Sequence, residues 1–198
     1  MQPATSIQEL LPGVFTWSAY SPQHKVELRS HAVLNQGVLT CFDPIPLSLP
    51  ARDALLALAS TTTLVLTNGN HERDSFAWQK RYQVSLWASA ESGLGLNDLR
   101  VLPAQGAWQG WKVESLEGGG PGELAFRLED RHLVVAGDAI INLPGRALEL
   151  LPDKYCSDPA VLRKSLRLWV ADPFDTLLLA HGDWLPELAS ARVEALLS

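Results

Sequence analysis

The sequence predicts an α+β protein built from two successive halves, each a sheet with helices packed against it. Three observations carry that prediction. Strand-like and helix-like segments follow one another as hairpin, helix, strand, helix, strand, and then strands, hairpin, helix, strand and a closing helix. Three apolar β-type runs stop abruptly in polar residues: Leu64-Val65-Leu66-Thr67 before Asn68, Val134-Val135-Ala136 before Gly137-Asp138, and Leu177-Leu178-Leu179-Ala180 before His181-Gly182-Asp183. No Gly-, Pro- or Ser-rich linker separates the halves, so residues 1–198 are expected to form a single domain with two sheets face to face.

Each element has a local reason. Residues 13–20 alternate well enough for a strand. Residues 30–34 and 38–42 read as strands joined by Asn35-Gln36-Gly37, a hairpin turn signal. Residues 51–59 form a predicted helix that buries Leu55, Leu56 and Leu58. Residues 63–67 are a short buried strand, and Asp74 is placed to cap a helix over residues 75–82. Strands follow over residues 84–88, 99–102 and 108–116. The Gly118-Gly119-Gly120-Pro121-Gly122 loop leads into a second hairpin, residues 123–128 and 132–136, turning at Glu129-Asp130-Arg131. Asp158 and Pro159 supply the N-cap and first position of a helix to Trp169. Residues 176–180 are a buried strand, and residues 185–197 a closing helix.

Composition narrows the function classes. Hydrophobic residues make up 46% of the chain, an ordinary globular share, and seven tryptophans supply core or site-lining bulk. The formal net charge of −6 and the lack of a basic stripe argue against a nucleic-acid partner. Two cysteines, Cys41 and Cys156, make no disulfide framework, so a cytoplasmic location is expected. The first eleven residues have no basic start and no long apolar run, so no signal peptide is expected. No stretch nears the roughly 20 apolar residues of a membrane span.

The order of motifs resembles the metallo-β-lactamase superfamily across nearly the whole chain. The residues that carry the resemblance are Leu64-Val65-Leu66-Thr67 running into a polar loop, then Gly119-Gly120-Pro121-Gly122-Glu123 with its hairpin and Val134-Val135-Ala136-Gly137-Asp138, and finally Leu177-Leu178-Leu179-Ala180-His181-Gly182. The resemblance implies a four-layer αββα sandwich with a site where strand ends from both halves meet. It also implies one or two zinc or iron ions that hydrolyse esters, amides, thioesters or phosphodiesters. A bound divalent ion lowers the pKa of water and polarises the bond to be cleaved, which requires imidazoles and carboxylates converging on one point.

In this sequence the ligand pattern of that family is broken. Where the family carries His-x-His-x-Asp-His, this chain has Asn68 and Asn70 at the first two His positions, Glu72 at the Asp and Arg73 at the last His. The His of the Gly-His-Thr-Pro-Gly loop is replaced by Gly119. Only Asp138 and His181 match expected ligands. The chain is most similar to a branch that carries a Thr-Asn-x-x-His-x-Arg run, as in residues 67–73, and a Leu-Glu-x-Leu-Pro-Asp segment, as in residues 148–153.

Each candidate has a plain structural reading beside the functional one. Asp138 reads as a turn residue or as a ligand, and His181 as a hydrogen-bonded strand-end histidine or as a ligand. His71 either fixes its loop or completes a two-His, one-carboxylate set with Asp138 and His181. Arg73 has no lone pair for a metal; it is either a solvated helix-start residue or the countercharge of a buried Asp138. Asn68, Asn70, Glu72, Arg73 and Gly119 are expected to line the cleft. Two functions follow. One is a hydrolase-like protein holding at most one divalent ion (zinc, iron or manganese) and acting on a small molecule. The other is a metal-free ligand-binding or structural relative in which Arg73 pairs with Asp138. No catalytic residue and no oligomeric state is read from the sequence.

Overall fold

The computed structural model describes residues 1–95 and 98–198. The described residues contain two large sheets, of seven and five strands, and four α-helices. The chain divides into two compact units. Among the described residues, unit 1 holds 1–66, 71–87 and 98–100, and unit 2 holds 67–70, 88–95 and 101–198.

The seven-stranded sheet runs in chain order. It comprises β1 (Gln8–Leu11), β2 (Val14–Ser21), β3 (Val26–Asn35), β4 (Val38–Phe42), β5 (Thr61–Val65), β6 (Ser85–Ser89) and β7 (Leu99–Leu102). The first four strands are antiparallel, and β3 turns into β4 at Gln36 and Gly37, both at positive φ (49° and 79°). That is the geometry two-residue hairpins require. From β4 onward the pairing is parallel, with α1 (Leu49–Leu56) joining β4 to β5 and α2 (Ser75–Tyr82) joining β5 to β6. Two successive parallel crossovers therefore end β4 and β5 on the same side, with Phe42 opposite Val65.

The packing of unit 1 centres on Trp78 of α2. It is fully buried, stacks on Trp17 at 5.8 Å and 12°, and donates its indole N–H to Asp74 at 3.0 Å. The Arg52 guanidinium lies 5.1 Å from the same ring and 3.6 Å from the Asp74 carboxylate. Burial raises the Asp74 carboxyl above its ordinary value, opposed by Arg52 and the Trp78 N–H. Asp74 thus occupies the N-cap position without capping through its side chain, which is committed to Trp78 and Arg52 instead. In α1 the expected burial holds for Leu55, whereas Leu56 is half-buried and Leu58 is exposed. The helix begins at Leu49 and is over by Ala57, which puts Leu58 beyond its last turn.

The five-stranded sheet lies in unit 2, in the order β14, β11, β10, β9, β8. Its strands are β8 (Gly106–Trp108), β9 (Trp111–Ser115), β10 (Leu124–Leu128), β11 (Leu133–Ala136) and β14 (Thr176–Leu179). A small pair, β12 (Ile140–Ile141) and β13 (Glu149–Leu150), and the helices α3 (Pro159–Val170) and α4 (Ala189–Glu194) complete it. The expected single strand over residues 108–116 is in fact a hairpin. Gln109 and Gly110 turn at φ 46° and 83°, so Trp108 faces Trp111 across β8 and β9. The closing helix is also shorter than expected. Leu185 exchanges both backbone hydrogen bonds with Leu177 of β14, Pro186 follows, and Leu188 sits at φ 51°, so helix begins only at Ala189.

Helix α3 buries Leu162, Leu166, Trp169 and Val170 against the core that also contains Val134, Phe174 and Leu177. Arg127, next to the last residue of β10, is 2% exposed and donates to Glu114 and to the carbonyls of Trp169, in the last turn of α3, and Asp172, just beyond it. A cation at a helix C-terminus meets the negative end of the dipole. No described helix is long and apolar enough to cross a membrane. The two cysteines are free thiols, and burial holds both above their ordinary pKa. At the start of α3, Asp158 accepts from the N–H groups of Ala160 and Val161 at 3.0 and 3.1 Å. Asp158→Ala is expected to cost about 1 kcal/mol, read from urea denaturation, because those two donors lose their acceptor.

Candidate functional site

In unit 2 the site residues follow from strand register. β11 and β14 are parallel, with Ala136 opposite Leu179. Two residues beyond that pair stand Asp138 and His181. Both strands end on the same side, so the two side chains meet: His181 Nε2 lies 3.0 Å from Asp138 Oδ1, with side chains 17% and 15% exposed. The second carboxylate oxygen of Asp138 accepts from the Asn68 amide at 3.3 Å.

Asn68 is buried, and both ends of its amide are committed. Its Nδ2 donates to Glu123 Oε2 at 2.8 Å as well as to Asp138, and its Oδ1 accepts from the N–H of Asn70 at 2.9 Å. Glu123, 2% exposed, turns its other oxygen toward the N–H groups of Asp138 (2.7 Å) and Ala139 (3.2 Å). The Thr67 carbonyl accepts from Leu124 N–H and the Gly69 N–H donates to Pro121. These two bonds place the 67–70 segment beside the glycine loop. Three glycines leave room for the Glu123 side chain: an added Cβ would lie 3.1 Å from its Cγ at Gly119, 3.0 Å from Oε2 at Gly120 and 2.6 Å from Oε1 at Gly137.

In unit 1 the corresponding strand ends carry Asp43, directly after β4, and His71, in the segment after β5. Asp43 Oδ2 and His71 Nδ1 are 2.8 Å apart, with both side chains almost fully buried. A carboxylate accepts, so Nδ1 is the donor in this bond and Nε2 is the ring nitrogen turned away from Asp43. Asp43 and Arg73 both adopt left-handed backbone conformations, at φ 48° and 46°. The Arg73 guanidinium donates to the carbonyls of Arg29 and Asp43 at 2.7 and 3.1 Å. The Ser30 hydroxyl links the Asp43 carbonyl to the N–H of Ile45.

The expected site residues therefore have distinct fates. Asp138 and His181 are brought together as a pair, and Asn68 joins them. His71 is buried on Asp43. Asn70 and Glu72 have exposed side chains, and Gly119 is buried in its loop, where its N–H bonds to Leu116. Arg73 donates to the backbone carbonyls of Arg29 and Asp43 within unit 1. Cys156 is half-buried after a short 3₁₀ turn, its thiol directed at the carbonyls of Leu151 and Pro152. Two residues escaped the sequence analysis: Asp43 and Glu123. Each had a signal, since Asp43 ends an apolar strand as Asp138 does, and Glu123 opens an apolar strand directly after the glycine loop.

Comparison with known proteins identifies the family and the fold. A family model described as the metallo-β-lactamase superfamily matches residues 7–196, and the chain belongs to that superfamily. Among solved structures it is similar to the DIM-1 metallo-β-lactamase exposed to ceftazidime, with a TM-score of 0.77, 11% identity, and coverage of 98% of this chain and 97% of that one. It is similar to FIM-1 from Pseudomonas aeruginosa in its mono-zinc form, with a TM-score of 0.74, 13% identity, and coverage of 99% and 95%. A metallo-β-lactamase from Erythrobacter litoralis matches with a TM-score of 0.69, 16% identity, and coverage of 96% and 91%. At these identities the shared property is the fold, the α+β αββα architecture. No functionally curated protein sequence matched.

Gly137 offers a direct check on the closeness of packing around Glu123. A Cβ there would lie 2.5 Å from the buried Thr67 hydroxyl and 2.6 Å from Glu123 Oε1. Gly137→Ala is expected to lower stability by about 1–3 kcal/mol through overpacking, measured by chemical denaturation.

Proposed function

We propose that this chain is a metallo-β-lactamase-fold hydrolase with a reduced metal site, in which His71, Asp138 and His181 hold a single divalent ion and the substrate is a small molecule. The observation that carries the reading is the Asp138–His181 pair, set at the ends of adjacent parallel strands. His71 supports it, because Asp43 fixes its proton on Nδ1, the orientation a metal-binding imidazole takes from a carboxylate partner. The three residues offer one donor atom each, a set suited to zinc, iron or manganese.

The same donor chemistry argues against two ions. Arg73 has no lone pair to give, Gly119 has no side chain, and the Asn68 amide is consumed at both ends by Glu123, Asp138 and Asn70. The mono-zinc form described for the Pseudomonas aeruginosa relative is a precedent for one ion on this fold. A bound ion would supply Lewis acidity and a water of lowered pKa. The chain's own contribution is orientation: Asp43 holds a proton at His71 Nδ1, and the Asn68 amide holds Asp138 Oδ2, leaving Oδ1 directed at His181.

A second reading rests on a different aspect of that pair. At 3.0 Å, Asp138 and His181 already satisfy one another as a hydrogen-bonded pair, an arrangement compatible with a metal-free binding or structural protein. In that version Arg73 adds countercharge to Asp138. Elemental analysis separates the two. The first reading expects about one equivalent of zinc, iron or manganese in the purified protein, lost in Asp138→Ala and in His181→Ala, with a chelator lowering the thermal midpoint. Absence of metal after expression in metal-supplemented medium, together with a midpoint indifferent to chelation, would select the second.

A further inference from the structure

Glu123 touches Asp138 through two independent routes. One carboxylate oxygen accepts the backbone N–H of Asp138 and that of Ala139, at 2.7 and 3.2 Å. The other accepts from the Asn68 amide at 2.8 Å, and that same nitrogen donates onward to the Asp138 carboxylate at 3.3 Å. The backbone and the side chain of Asp138 are thus both referenced to one buried carboxylate. An Asp after a strand end is otherwise free to choose among rotamers and to let its loop shift.

The sequence is shaped around this arrangement. Gly119, Gly120 and Gly137 each leave a space that a Cβ would close onto the Glu123 side chain. Asn68 is the residue type that can donate to two carboxylates with one nitrogen and accept from a backbone N–H with its oxygen. A histidine in its place would present one ring N–H, and an aspartate none.

We infer that Glu123 is a positioning residue: acting through Asn68 and the N–H of Asp138, it fixes the direction in which the Asp138 carboxylate meets its imidazole and the metal ion. The metal part of this inference rests on the proposed single-ion site, and the effect on the Asp138–His181 pair does not. Glu123 is assigned no contact with ion or substrate in this scheme; it bonds to the Asn68 amide and the N–H groups of Asp138 and Ala139.

The test uses the full chain with Glu123→Gln and Asn68→Ala. Gln is isosteric but sets an amide donor against the donors that Glu123 accepts from, and Ala at 68 removes the bridge while leaving Glu123 in place. Circular dichroism and thermal denaturation identify which variants fold. Two readouts are taken. Cobalt(II), a spectroscopic stand-in for zinc, is titrated by absorbance; and the imidazole nitrogen shifts of His181 are recorded in metal-free protein by NMR. The expected result is cobalt binding weakened about 10–100-fold in either folded variant, with an altered absorption band. His181 shifts should move in the metal-free state because its carboxylate partner has turned. Cobalt affinity within about twofold of the parent (far below the loss usual for such partners), with His181 shifts unchanged, overturns the inference. If the parent chain binds no cobalt, the single-ion reading fails on its own, and the His181 shifts alone then decide whether Glu123 positions Asp138.

Discussion

The pairing of β11 with β14 is the constraint from which the site follows. Parallel strands finish on one side of a sheet, and a register that sets Ala136 against Leu179 carries the next polar residues out together. Asp138 and His181 are separated by 43 positions in sequence and by 3.0 Å between their polar atoms. Unit 1 repeats the device with β4 and β5, whose parallel ends carry Asp43 and the segment leading to His71. Loops beyond the carboxyl ends of parallel strands can change without disturbing the ladder, and such positions collect chemistry in α/β proteins.

Each unit then places a buried carboxylate behind its strand-end residues. Asp43 stands behind His71 and Glu123 behind Asp138. Removing a carboxylate from water is costly unless donors replace the lost solvent, and both have them: a ring N–H for Asp43, two backbone N–H groups and an amide for Glu123. Such donors have fixed directions. The carboxylates therefore convert the rigidity of the strands into rigidity of the side chains, which a ligand site needs and which an exposed loop cannot supply.

Much of this was legible from sequence, for a physical reason. Strand ends show themselves locally, as apolar runs stopped by polar residues, and Asp138 and His181 both lie at such stops. The Gln36-Gly37 turn was readable because polar Asn35 precedes it. The equivalent Gln109-Gly110 turn was not, because Trp108 and Trp111 on either side extend the apolar pattern through it. The closing helix was overread because Leu185 keeps helical spacing while its backbone is committed to β14. Asp43 and Glu123 were missed for another reason. Their importance lies in partners 28 and 55 residues away, and periodicity carries no information on which distant donor a carboxylate will meet.

The residues at positions 68, 73 and 119 share a common feature: each is tied to the polar groups or the packing around a buried carboxylate. At position 68 an asparagine bridges two carboxylates; at 119 a glycine gives space that the Glu123 side chain occupies; at 73 an arginine donates to carbonyls at the end of β4 and beside it. Asn68 and Arg73 donate around Asp138 and Asp43, the carboxylates that meet His181 and His71, and Gly119 makes room for Glu123 behind Asp138. On the single-ion reading, the positions that offer no ligand to a second ion are the ones packed or hydrogen-bonded around the carboxylates that orient the ligands of the first.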